Sequence, residues 1–343
     1  MCRYFSGIVT KKGEVLWLKD GDAPMSHESI KQAHGLKNSG EGEDFVLFEI
    51  IPDVEKLLTR RTRSELTVND WTFRVDGPST PDWFAEKSAA YMKKAYEALK
   101  ESWKIHLLLG DEFLQELKDK GFIAWMWGTS KVGEMRGTSK VGEMRGTSKV
   151  GVMWGTSQVG EMRETSQVGE MRETSQVGMM YETSKVGMMR ETSKVGVMYE
   201  TSKVGMMRGT SKVGVMWGTS KVGVMWGTSQ VGEMRETSQV GMMNETSKVG
   251  MMRETSKVGV MRGTSKVGVM YETSQVGEMR ETSQVGEMRE TSQVGEMRET
   301  SQVGEMRETS KVGEINDFST AVKDAVLYVA KDVTVKKSGK VAG

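Results

Sequence analysis

The sequence predicts a mainly β protein: a β-solenoid of nine-residue repeats, two repeats per coil, behind an N-terminal α+β capping domain. Three observations carry this reading. First, a unit such as Glu281-Thr282-Ser283-Gln284-Val285-Gly286-Glu287-Met288-Arg289 recurs with no insertion or deletion. Its Thr-Ser pair returns every nine residues from Thr129 to Thr309, 21 copies in all. A short period held this strictly marks a repeat architecture in which each unit stacks on its neighbours. Second, the unit resists helix formation. Each Gly costs about 1 kcal/mol relative to Ala, and β-branched Thr and Val add to that. Nine residues also make two and a half helical turns, so successive Val residues would fall on opposite faces. Third, the constant positions hold small and apolar residues, while the variable ones are mostly polar or aromatic.

We label the unit a to i, starting at the Gly or Glu before Thr. Positions b, c, e, f and h are Thr, Ser, Val, Gly and Met; a is Glu or Gly, d is Lys or Gln, g is Glu, Val or Met, and i is Arg, Trp, Tyr or Asn. In an extended chain, Ser at c and Val at e share one face and d takes the other. Gly at f permits a bend, Met at h returns inward, and i points outward. The expected core is therefore Ser, Val and Met from every unit. Met serves there as an unbranched gap-filler. Thioether binding of a soft metal is the alternative, but the repeats contain no His or Cys to support it.

Two units per coil give a flat, two-sided rod of about 10 rungs, on the order of 50 Å long. Three per coil would give a shorter prism, and an intertwined trimer is a further option. The thin Ser-Val-Met interior favours two. Between residues 127 and 316 stand 12 Lys and 13 Arg against 23 Glu. The Glu rows at a and g flank the Arg row at i, so alternating rows offset the repulsion of stacked like charges.

Before the repeats, residues 1–124 read as an α+β domain. Tyr4–Thr10 and Glu14–Leu18 form a hairpin across Lys11-Lys12-Gly13. Ser26 caps a helix from His27 to His34, with Gly35 at its end. Phe45–Ile51 is an apolar strand stopped by Pro52. Thr67–Val75 is a further strand whose phase Asp70 breaks. A long helix runs from Asp82 to about Leu109, with Trp83, Phe84, Tyr91, Tyr96 and Leu99 on its apolar side. Gly110 ends it, and Asp111–Lys120 is a short final helix. Residues 125–316 are the solenoid. Residues 317–343 form a C-terminal β cap, with strands at Thr320–Val322, Ala325–Ala330 and Val333–Val335. Its lysines Lys336, Lys337 and Lys340 would block end-to-end strand addition.

The opening Cys2-Arg3-Tyr4-Phe5-Ser6-Gly7-Ile8-Val9-Thr10, with Gly13-Glu14-Val15-Leu16-Trp17, then Ser26-His27-Glu28-Ser29-Ile30 and Gly35-Leu36, resembles the N-terminal domain of uncharacterised proteins from phages and gut bacteria. Those proteins also carry tandem short repeats behind it. The resemblance covers the first third of the chain. It implies a phage or prophage origin and carries no activity and no functional residues.

Composition narrows the function classes. The 343 residues carry a net charge of +1, without the basic excess that steers a protein to nucleic acid. No apolar run is long enough for a membrane span. Met1–Asp20 lacks the apolar centre of a signal peptide. The single Cys, Cys2, allows no intramolecular disulfide, and together with 29 Met it suits a reducing, intracellular setting.

Candidate chemistry is sparse. Cys2 would be an N-terminal nucleophile after removal of Met1, or an ordinary small residue starting a strand. His27 and His34 share a helix face but lack partners for a metal, since His106 is the only other His. Asp82 with Glu86, and Glu97 with Glu101, read as solvated helix faces. No catalytic, cofactor-binding or metal-ligating residue is assigned, and no cofactor is expected.

Positions g and i are the most informative. Position g is Glu in the first and last repeats. In the middle it becomes Val152, Met179, Met188, Val197, Met206, Val215, Val224, Met242, Met251, Val260 and Val269. Position i in the same zone carries Trp154, Tyr181, Tyr199, Trp217, Trp226 and Tyr271. If g points outward, these residues form an apolar, aromatic stripe of the kind that marks a contact. If g turns in at a corner, they are core.

The expected function is a structural or binding protein. Its rod presents a repetitive surface for self-association or a protein partner, with no nucleic acid or membrane involved, in the host cytoplasm or on a virion. The alternatives are a host-modulating factor with an activity in its N-terminal domain, and an ice-binding solenoid built on the Thr row.

Overall fold

The computed structural model describes residues 5–18, 26–53, 56, 65–77, 80–119 and 121–315; the side chains of residues 98–106 are not among those described. Cys2 and the whole expected cap at 317–343 lie outside the described residues. The chain falls into two compact units. One comprises residues up to Leu114 with Lys120–Lys131, and the other comprises Gln115–Asp119 with Val132 onward.

The first unit is built on a four-stranded antiparallel sheet of order β2-β1-β3-β4, made of β1 (Phe5–Thr10), β2 (Val15–Leu16), β3 (Phe45–Pro52) and β4 (Trp71–Val75). The expected hairpin is present, with Ile8 opposite Leu16. Ser26 caps helix α1 (His27–Ala33), its side chain accepting from the Ser29 N–H. Ile30 of that helix packs with Ile8, Phe45 and Leu47. Val9, Val46, Phe48 and Ile50 join a second core with Phe84, Tyr91, Ala95 and Tyr96. The sheet thus uses both faces, as its alternating apolar residues require.

Three expected elements differ. The strand expected over Thr67–Val75 begins only at Trp71, because Val68–Asp70 is a 3-10 turn. Buried Asp70 accepts from both the Thr67 N–H (2.7 Å) and the Thr67 hydroxyl (3.0 Å), which holds that turn shut. The long helix is broken into α2 (Asp82–Ala85) and α3 (Ser88–His106), with Lys87 leaving helical geometry. In one continuous helix, residues seven apart lie about 10 Å apart along the axis. The break instead brings the Phe84 and Tyr91 rings to 5.4 Å, stacked at 26°. Finally, the helix expected at Asp111–Lys120 is a strand, β6 (Phe113–Leu117). With β5 (Leu107–Leu108) and β7 (Phe122–Met126), it continues the nine-residue spacing upstream of the consensus. Leu108, Leu117 and Met126 are all buried at the Met phase.

The repeats form 21 five-residue strands, from β8 (Lys131–Met135) to β28 (Lys311–Ile315). Strands alternate between two parallel sheets, each numbering 12 strands. Each residue lies opposite its equivalent 18 positions on, as Val186 does opposite Val204 and Met189 opposite Met207. Two repeats therefore make one coil. The interior is as expected: Ser at c is buried throughout, and Val at e and Met at h are buried except at the C-terminal end, where Val303, Met306 and Ile315 are half-buried. Fully burying a Val or Met side chain contributes about 1.5–3 kcal/mol, and the stack repeats that gain in every unit. The Ser hydroxyls find no hydrogen-bond partner, so small volume is what suits this residue to the corner.

The strand does not alternate cleanly. Val at e and Met at h face in, while f and g both lie on the outer side. This two-residue outward step presses the backbone at f against the coil below. A Cβ built on Gly196 would collide with the Gly178 carbonyl oxygen, and the same contact recurs at the f glycines from Gly151 to Gly313. The glycine is required for space along the axis rather than for an unusual φ. Gly196→Ala should therefore destabilise the protein by about 1–3 kcal/mol, read as a lower urea midpoint with unchanged slope. A shift below about 0.5 kcal/mol would mean that the coil spacing yields to a methyl group.

Candidate contact surface

Each corner of the coil is a tight turn from i to c, closed by the Ser N–H donating to the carbonyl of residue i, as in Ser193 to Arg190 at 3.1 Å. Its first central residue, a, has positive φ in all 21 repeats: eight Gly, and 13 Glu between +52° and +59°. A side chain in that region costs about 1–2 kcal/mol. Some of the glutamates offset this by bonding along the axis. Glu245 accepts from the Gly227 N–H one coil earlier (2.9 Å), and Glu164 from the Gly146 N–H (2.9 Å). Thr at b is exposed, but its hydroxyl donates to the carbonyl of residue a in the previous coil, as from Thr192 to Glu173 at 2.9 Å. The Thr rows occupy corners beside glutamates and form no flat double row.

The outer faces are built from d, f, g and i. Because repeats alternate between sheets, the single stripe of the linear sequence divides in two. The face of β8, β10 and the other even strands receives Val152, Trp154, Met188, Met206, Val224, Trp226, Met242 and Val260. The face of the odd strands receives Met179, Tyr181, Val197, Tyr199, Val215, Trp217, Met251, Val269 and Tyr271. The g residues are half-buried on the outside, shielded by the same position in the coils above and below. Of the stripe aromatics, Trp226 is the most open, at 37%.

The chemistry at g decides what i does. Where g is Glu, Arg at i pairs with it in its own strand and often reaches the Glu of the previous coil. Arg298 Nε lies 2.7 Å from Glu296 and 3.0 Å from Glu278, and Arg307 Nε lies 2.7 Å from Glu305 and 3.1 Å from Glu287. These charged ladders occupy the end coils, and Glu233–Arg235 repeats the pairing within the middle. In the middle, aromatic rings take over. Tyr181 and Tyr199 stack at 4.9 Å and 5°, with the Arg163 guanidinium 4.6 Å above Tyr181. Arg235 sits 4.4 Å over Trp217. Tyr271 has Arg253 at 5.1 Å and Arg289 at 5.3 Å. On the even face, Arg172 covers Trp154 at 4.3 Å, and lysines stack on lysines at d from Lys185 through Lys203 to Lys221.

The N-terminal candidates take other roles. His27 is buried, with Nε2 2.9 Å from the Phe48 carbonyl and Nδ1 3.2 Å from the Asp76 carboxylate, which ties α1 to the sheet. His34 is exposed and points elsewhere, to the Trp17 carbonyl at 3.4 Å. Asp82, Glu86 and Glu97 are exposed. Among the described residues, no group of three or more His, Cys, Asp or Glu side chains is placed to hold a metal ion, and no helix is long and apolar enough to cross a membrane. Sequence reasoning missed the division of the stripe between faces and the positive φ at a. The Gly-or-Glu alternation at a was the available signal for the second.

No protein-family profile, curated protein or solved structure matches the chain.

Two outcomes follow from this geometry. Glu182→Gly should raise the melting temperature, by relief worth up to about 1 kcal/mol. Glu245→Gly should gain less or lose, because it gives up the bond to Gly227. The Arg289 hydrogen bond, reinforced by the charges of Arg289 and Arg307, holds the Glu287 carboxyl below its ordinary value. A lowered folded pKa gives stability that is present above the unfolded carboxylate range and is lost as pH falls through the folded pKa. The terminal coils should therefore loosen in acid before the middle ones, seen as faster amide exchange near Glu287 than near Val213 below about pH 4.

Proposed function

We propose that the chain is a non-enzymatic structural and binding protein, and that the odd-strand face of its rod is the contact with a second copy or a protein partner. The observation that carries this is the run of three successive coils holding Met179 with Tyr181, Val197 with Tyr199 and Val215 with Trp217. Across these coils the Glu–Arg pairing of the rod ends is replaced by apolar and aromatic side chains. Aromatic residues with acidic side chains removed from the centre fit a contact core; Lys194 and Lys212 stay exposed at d, and the flanking Glu–Arg ladders supply a polar rim. The parallel stacking makes the patch rigid, so little side-chain entropy is lost on contact. The phage or gut-bacterial origin implied by the N-terminal resemblance, and a place in the host cytoplasm or on a virion, belong to the same proposal.

The end coils supply a fold-preserving test. Replacing Met179, Val197 and Val215 with Glu, and Tyr181, Tyr199 and Trp217 with Arg, installs the pairing that coils such as Glu287–Arg289 already use. Sedimentation and light scattering should show the native chain as more than one copy and the variant as one. A native chain that is monomeric, and whose captured partners are the same as the variant's, would overturn the reading.

A further inference from the structure

The methionines are of two kinds. Those at h up to Met297 are sealed between the sheets, whereas Met179, Met188, Met206, Met242 and Met251 at g are half-exposed on the outer faces. Each stands two residues before a hydrogen-bond donor at i. Arg190 Nε lies 3.1 Å from Met188 Sδ, Arg208 Nε 3.1 Å from Met206 Sδ, and Arg253 Nε 3.0 Å from Met251 Sδ. The Tyr181 hydroxyl lies 3.1 Å from Met179 Sδ. In coils with Glu at g, the same guanidinium nitrogen binds a carboxylate oxygen, as Arg289 Nε does Glu287 at 2.7 Å. A thioether is a weak acceptor. Arg190 and Arg253 also hold the carboxylates of Glu170 and Glu233 one coil earlier, so their donors are shared between oxygen and sulfur, whereas Arg208 Nε is turned to the sulfur of Met206. Asn244, two residues after Met242, is 6% exposed, and its Nδ2 has no acceptor at all.

We propose that the g methionines are sites of reversible oxidation to methionine sulfoxide by a hydroperoxide, with the residue at i holding the added oxygen. The sulfur lone pair attacks one peroxide oxygen, the O–O bond breaks and an S–O bond forms. Sulfur is oxidised by two electrons, and with hydrogen peroxide the second oxygen leaves as water. The sulfoxide oxygen, a strong acceptor, takes the N–H of Arg190, Arg208 or Arg253, or the Asn244 amide. The row at g thereby changes from apolar to polar while the sealed row at h stays reduced. This inference concerns reactivity and stability, and it stands whether or not the rod associates.

Treating the full chain with dilute hydrogen peroxide tests it, with fragment ions resolving the two methionines of each pair such as Met188-Met189. The g sulfur should oxidise at least ~10-fold faster than its h neighbour. The oxidised protein should keep its melting temperature, and a methionine sulfoxide reductase should restore the starting mass. Arg190→Trp, Arg208→Trp and Arg253→Trp together use a residue native to position i elsewhere. In that variant, oxidation should lower the melting temperature. Equal oxidation at g and h, or an equal loss of stability on oxidation with and without the arginines, would overturn the proposal.

Discussion

Every level of the solenoid depends on one contact: the backbone at f resting on the carbonyl oxygen of the coil below. It leaves no room for a Cβ between coils whose spacing the ladder hydrogen bonds set, with each residue opposite its equivalent 18 positions away. Only in that register do Val rows and Met rows become continuous ladders. The contact also explains why f never varies while a does. At f an added carbon meets an immovable carbonyl. At a the demand is a positive φ, which Glu can meet at a cost of about 1–2 kcal/mol and partly recover through its bond to the corner one coil earlier.

The architecture was legible because the repeat states the same preference 21 times. Inward Ser, Val and Met and the two-unit coil follow from Ser-x-Val spacing and from how little volume those side chains fill. What was not legible lies where single residues outweigh pattern. Phe113–Leu117 shares only its apolar phase with the consensus, so its place in the stack is set by Leu117 lying nine residues before Met126. The break after Ala85 has no Gly or Pro to announce it and is accompanied by stacking of Phe84 on Tyr91. Asp70 interrupts the strand pattern because its carboxylate closes a turn on Thr67. The contact surface was legible as a list of residues but not as two faces, since that division exists only once the number of units per coil is known.

The faces show how little chemistry separates a closed surface from an open one. The same strand with Glu at g buries its charge in a ladder with Arg. With Met at g, the arginine reaches the sulfur, as Arg208 does Met206, while rings at i are covered by arginines of neighbouring coils, as Arg163 covers Tyr181. Two substitutable positions on an unchanging frame therefore set the character of each stretch of the rod. The variation falls where it leaves the interior untouched.

The alternation of units between sheets has a genetic corollary. Gain or loss of one nonapeptide would preserve the interior, because every unit is equivalent from within. It would also carry every downstream side chain to the opposite side of the molecule, moving tyrosines into the i column that holds Trp154, Arg190 and Arg208. Expansion by pairs would leave both sides intact. The two outer faces therefore depend on the parity of the repeat number as well as on its length.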